Sequence, residues 1–120
     1  MGYKIAIVDD ENEILTMLNK FLSRGEKYNV TTFSNPVVAV SSIDSSYDLV
    51  LMDIMMPQMN GMDALKKILE KNPSQKVVMM TAYSTLDKVL ESHKDGAVNY
   101  IMKPFDSLQS LESKIKEALL

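Results

Sequence analysis

Cysteine is absent from the 120 residues. That removes a disulfide scaffold, a Cys-ligated zinc site and a thiol nucleophile together. Histidine occurs once, as His93, so multi-histidine metal sites and internal histidine relays are excluded too. No run of Lys and Arg marks a nucleic-acid footprint. No apolar stretch approaches the roughly 18 residues of a membrane span, and the N-terminus lacks the charged and apolar regions of a signal peptide. Internal repeats, low-complexity tracts and linkers are also missing. What is present suits one soluble, cytoplasmic domain over residues 1–120, long enough to bury roughly two-thirds of its unfolded surface in one core. Acids number 16 and bases 13, for a net charge of −3, and ten methionines are an unusual surplus.

Four apolar runs are short and rich in β-branched residues: Tyr3–Val8, Leu49–Met52, Lys76–Thr81 and Val98–Met102. The first three are nearly continuous in apolar character, as strands covered on both faces are. A fifth run, Tyr28–Phe33, alternates more and reads as an edge strand. Helical spacing of about three to four separates them. Asn12–Arg24 places Ile14, Leu15, Leu18, Phe21 and Leu22 on one side, with Gly25 as a stop. Pro36–Ile43 follows Asn35, a candidate N-cap. Met62–Lys71 ends before Asn72-Pro73. Ser84–Lys94 and Ser107–Leu120 complete the set. Strict strand–helix alternation predicts an α/β fold: a five-stranded parallel sheet, doubly wound, (βα)5, with helices on both faces. Such sheets hold their chemistry beyond the carboxyl ends of the strands.

The residues at those ends are not bland. The first strand runs into Asp9, Asp10 and Glu11, the third into Asp53, the fourth into Thr81 and Ala82, and the fifth into Lys103 and Pro104. Each alone has an ordinary explanation. A strand-end Asp or Thr is commonly a cap, Asp10 or Glu11 could cap the first helix, and a Lys before Pro is commonly a solvated loop residue. Together they are harder to dismiss. Two carboxylates about 4 Å apart repel by about 4 kcal/mol at an effective dielectric of about 20. Such a cluster persists when a divalent cation neutralises it or a proton is shared. All-oxygen ligands point to Mg²⁺, with Mn²⁺ as the alternative. Lys103 can pair with a phosphate as a point charge, Thr81 can donate to a phosphoryl oxygen, and Asp53 can serve as a nucleophile that forms an aspartyl phosphate.

With IVDDE at 7–11, DLVLMDIMMPQMNGMD at 48–63, MTAY at 80–83 and KPF at 103–105, the chain resembles the response-regulator receiver domains, the CheY-like family of two-component signalling, whose fold is flavodoxin-like. The match covers roughly residues 3 to 119 and is most like single-domain receivers. The resemblance implies that Asp53 accepts a phosphoryl group from a sensor histidine kinase or histidine phosphotransfer protein. It implies Mg²⁺ held by Asp10, by Asp9 in an assisting role, by Asp53 and by the Met55 carbonyl. Lys103 would contact the phosphoryl group, and Thr81 would move toward it. Tyr100 would be the aromatic switch that turns inward, unless it merely covers an edge. The Lys103–Pro104 bond is expected to be cis. The chain would be a regulatory phosphoacceptor rather than an enzyme, contacting neither nucleic acid nor membrane directly, with its downstream target unnamed.

Other readings fit less well. A haloacid-dehalogenase-like phosphatase wants D-x-D at its nucleophile, whereas Asp53 is followed by Ile54 and Met55. A flavin carrier wants a Ser/Thr/Gly-rich phosphate loop after the first strand, where this chain has three acids that would repel phosphate. A degenerate receiver would lack the acid set. Gly61, after Asn60 in a turn pattern, reads as a position of positive φ. Five methionines, at 52, 55, 56, 59 and 62, surround Asp53. In the family Met55 and Tyr83 would border the path of the hydrolytic water, which predicts slow self-dephosphorylation. Otherwise the methionines are gap fillers. His93 has no assigned role.

Overall fold

The computed structural model of the chain describes residues 2–82, 96–105 and 107–120. In chain order its elements are β1 (Tyr3–Val8), α1 (Asn12–Leu22), β2 (Tyr28–Phe33), α2 (Pro36–Ser42), β3 (Leu49–Asp53), α3 (Gly61–Lys71), β4 (Val77–Ala82), β5 (Asn99–Lys103) and α4 (Leu108–Leu119). The helix expected over Ser84–Lys94, with His93, and the neighbouring Tyr83 lie outside the described residues. The five strands form one sheet in the order β2-β1-β3-β4-β5, and every neighbouring pair is parallel. The α/β expectation therefore holds, and β2 is an edge strand as its alternation foretold.

Strand alternation sorts the core into two layers. Ala6, Val8, Val50, Met52, Val77 and Met79 face α2 and α3, meeting Ala39, Ala64, Leu65 and Ile68. Ile5, Ile7, Leu49, Leu51, Val78 and Met80 face the other way, onto Leu15, Leu18 and Leu22 of α1 and Leu111 and Ile115 of α4. Both faces of β1 and β3 are covered, which is why their runs are continuously apolar. At about 25 cal/mol per Å² of apolar surface, these two layers supply most of the drive to fold.

Helix ends follow local chemistry. Asn35 caps α2 by accepting from the Val37 N–H at 2.9 Å, ahead of Pro36 in the first turn. The ammonium of Lys71 on α3 donates to the carbonyls of Val40 (2.7 Å) and Ile43 (3.1 Å), closing the C-terminal end of α2. Helix α1 stops at Leu22, two residues before Arg24, and its last regular bond runs from the Ser23 N–H to the Asn19 carbonyl at 2.9 Å. Tyr28 of β2 donates to Glu112 of α4 at 3.2 Å. Burial, helped by the Glu112 charge, pushes its phenol up to about 12. This bond ties the sheet edge to the last helix.

The limits of β1 and β2 are the expected ones, whereas those of β3, β4 and β5 differ by one residue, and the shift matters. The ladder pairs Asp53 with Met80 and Lys103 with Ala82, so both residues belong to strands rather than to the loops after them. The only positive φ in the described backbone falls on Gly96, at 107°. Gly61 does not adopt one, contrary to expectation.

Candidate functional site

The order β2-β1-β3 sends the chain one way from β1 and the other way from β3, so the carboxyl ends of those neighbouring strands flank the point where the winding reverses. Asp9 follows β1 and Asp53 closes β3. One carboxylate oxygen from each of Asp9, Asp10 and Asp53 lies within 4.8 Å of the others. Asp9 is wholly buried, Asp53 nearly so, and Asp10 is exposed at the rim. Both oxygens of the buried Asp9 carboxylate have a partner. Its Oδ1 accepts from the Glu11 N–H at 2.9 Å, and its Oδ2 accepts from the Lys103 ammonium at 2.6 Å. Glu11 occupies the N-cap of α1 but makes no side-chain capping bond, so the ordinary reading of Glu11 as a helix cap does not hold.

Lys103 is the cation of the site. Its Nζ also lies 3.4 Å from Asp53 Oδ1 and 3.5 Å from Glu11 Oε1. Burial alone would lower its pKa. The bond to Asp9 and the charges of Asp53, Asp9 and Glu11 outweigh burial and raise it. The pKa of Asp53 is raised as well, but there burial wins. Burial first, then the charge of Asp9, pushes its carboxyl up to about 7 against the opposing pull of Lys103. One ammonium among the carboxyl groups of Asp9, Asp10, Glu11 and Asp53 leaves a surplus of negative charge in a partly dry pocket. The donor set is all oxygen, which fits a hard divalent cation such as Mg²⁺ or Mn²⁺ held by Asp9, Asp10 and Asp53.

Thr81 is buried near the end of β4, paired in register with Met102 and next to the rung that holds Lys103. Tyr100 is three residues before Lys103 on β5. It stands apart from the acids, half-buried, with its ring against the layer under α2 and α3. Met55, two residues past Asp53, is 54% exposed. The Lys103–Pro104 bond is cis, as expected.

The role of Gly61 needs correcting. A Cβ there would lie 2.1 Å from the Asp53 carbonyl oxygen and 2.7 Å from Ile54 Cα. The N-terminus of α3 presses directly on the backbone of the Asp53 segment, and the Gly61 N–H donates to the Ile54 carbonyl at 2.7 Å. Space, not dihedral freedom, demands glycine here. The Asn60 side chain caps the same helix by accepting from the Met62 N–H at 2.7 Å. Sequence reasoning left Glu11 without a place in the site, although it follows Asp9 and Asp10 directly. Its contact with Lys103 depends on a strand more than 90 positions away, and no local pattern announces it.

Comparison with known proteins agrees with this fold. The response regulator receiver domain family matches residues 5–116. The transcriptional regulatory protein ZraR of Klebsiella oxytoca is 40% identical over 116 residues, 96% of this chain and 26% of ZraR. The chemotaxis protein CheY of Listeria monocytogenes is 36% identical over 116 residues, 96% of this chain and 98% of CheY. The chain thus spans about a quarter of the length of ZraR. Among solved structures, a response regulator receiver domain protein from Clostridium thermocellum superposes with a TM-score of 0.88 at 31% identity, covering 98% of this chain and 94% of that one. The BeF3-activated DrrB receiver domain does so with a TM-score of 0.86 at 29% identity, covering 99% and 98%. No helix among the described residues is long and apolar enough to cross a membrane. By its matched residues and its fold, the chain belongs to the response regulator receiver family, the phosphorylation-activated signalling switches of two-component systems.

Proposed function

We propose that residues 1–120 act as one cytoplasmic receiver unit in which Asp53 accepts a phosphoryl group from a phosphohistidine of a sensor kinase or phosphotransfer protein. The observation that carries this reading is the meeting of Asp9, Asp10 and Asp53 within 4.8 Å, with the Lys103 ammonium against Asp9 and Asp53. An Asp53 carboxylate oxygen attacks phosphorus, the P–N bond to the donor imidazole breaks, and the nitrogen keeps the electron pair. The result is an aspartyl phosphate and a free histidine.

Asp9, Asp10, Asp53 and the Met55 carbonyl would hold Mg²⁺, which supplies charge neutralisation and orientation of phosphoryl oxygens when bound. Lys103, already 3.4 Å from Asp53, offsets the charge that builds on the transferring group. Thr81, buried at the end of β4, donates its hydroxyl to a phosphoryl oxygen. The movement of Thr81 frees space into which the Tyr100 ring turns. Phosphorylation adds about −1.5 to −2 charge and strong acceptors, enough to choose between two packings a few kcal/mol apart. The donor protein docks along α1, where an apolar groove of about 310 Å³ runs from Ile14 and Met17 to Phe105 and Leu108 beside Lys103.

The test is incubation with acetyl phosphate or phosphoramidate and Mg²⁺, read by intact mass. Addition of one phosphoryl group in the wild type and in Asp48→Asn, and none in Asp53→Asn, is expected. A folded wild type that takes no adduct overturns the assignment.

A further inference from the structure

β5 ends the sheet, so one of its edges has no neighbouring strand among the described residues. Exposed edges need their polar groups managed. At Tyr100 this is done by side chains. Its N–H donates to Asn99 Oδ1 at 2.8 Å, and its carbonyl accepts from the Lys114 ammonium at 3.0 Å. The same ammonium lies 4.8 Å from the centre of the Tyr100 ring, inside cation–π range. One charge therefore touches both the main chain and the ring of a single residue.

The origin of that charge matters more. Tyr100 packs its ring against the layer under α2 and α3. Lys114 belongs to α4, whose Leu111 and Ile115 are sunk in the opposite layer. The Lys114 Cα is thus fixed by two buried neighbours, while its stem reaches round the sheet edge to the other face. A swing of the Tyr100 ring about its Cα–Cβ bond changes its distance from the ammonium, whereas the bond to the carbonyl can stay.

We propose that Lys114 is a positioning residue that holds the Tyr100 ring in its resting place and ties that place to α4. The proposal rests on the reading of Tyr100 as the switch residue and adds the contact that sets its bias. A cation–π pair that keeps access to solvent corresponds to a roughly two- to fivefold population change. Linkage makes the effect reciprocal: whatever moves the ring also alters what α4 feels, by the same factor.

The test uses the whole chain carrying 3-fluorotyrosine, in which Tyr100→Phe identifies the Tyr100 signal among the five tyrosines. Fluorine NMR compares wild type, Lys114→Met and Lys114→Arg, first at rest and then with Mg²⁺ and beryllofluoride as a phosphoryl mimic. In resting Lys114→Met the Tyr100 signal is expected to shift toward its beryllofluoride-bound position. The beryllofluoride affinity should rise roughly two- to fivefold, and Lys114→Arg should restore both. A Lys114→Met protein that melts as a folded chain, keeps the wild-type Tyr100 signal and keeps the wild-type affinity overturns the proposal. If beryllofluoride binds but leaves Tyr100 unmoved in every variant, the switch reading falls. The resting spectra of Lys114→Met and Lys114→Arg then still decide whether Lys114 positions the ring.

Discussion

Asp53 carries an energetic cost that its neighbours only partly offset. Its carboxyl is lifted from 3.8 to about 7 by burial and by Asp9. An acid raised in the folded state destabilises that state once it ionises. The loss begins above the ordinary value near 3.8 and is complete above about 7. At about 1.4 kcal/mol per pH unit, the cost is on the order of a few kcal/mol. Asp53→Asn should therefore melt higher than wild type at pH 8 without divalent cation, and the gap should close near pH 4. Thermal melts across that range check it, and a gap independent of pH would refute the burial argument. Met55 gives a second test at this scale. Met55 is exposed two residues past Asp53, and the test is whether it shields an acyl phosphate from water. Met55→Asn should shorten the lifetime of the phosphorylated state several-fold by intact mass. An unchanged lifetime would leave Met55 as an adaptable surface filler.

The elements were legible because their signals are local. The alternation of 5 and 7 against 6 and 8 in β1 and the Asn35-Pro36 start of α2 can be read from a few neighbouring residues. Strand ends were less so. Asp53 and Lys103 belong to β3 and β5 only because Met80 and Ala82 pair with them across the sheet. Gly61 shows the limit most sharply. Its sequence context suggests a turn dihedral, whereas the structure uses it to let α3 press on the Asp53 carbonyl. Gly61→Ala should cost about 1–3 kcal/mol, the range for overpacking a tight contact. It should also slow phosphorylation, since relief of the clash must move the Asp53 backbone. Denaturant melts and the phosphoryl-transfer assay check the two effects. A neutral Gly61→Ala would show that the contact is loose.

For the whole molecule the charge balance takes on a location. Setting aside Asp9, Asp10 and Asp53 leaves acids and bases equal in number, and those three residues share one pocket. A cation that binds only the folded pocket stabilises the chain by about 2.7 kcal/mol at a hundred times its Kd. For a chain of this size that is roughly a 10 °C rise in Tm. Mg²⁺ should produce such a rise in wild type, chelator should reverse it, and Asp53→Asn should blunt it. Equal shifts in both proteins would place the ion elsewhere. The sequence by itself determined the alternation of elements, the two-faced burial of the central strands and the gathering of Asp9, Asp53, Thr81 and Lys103 at one edge. Those follow from periodicities of two and about 3.6 and from the polarity of a parallel sheet. Only the tertiary structure decided which acid Lys103 holds, how far Asp53 is lifted, why residue 61 must be glycine and that Lys114 reaches Tyr100. Each of these depends on distances between segments far apart in the chain, and on burial, which no local pattern encodes.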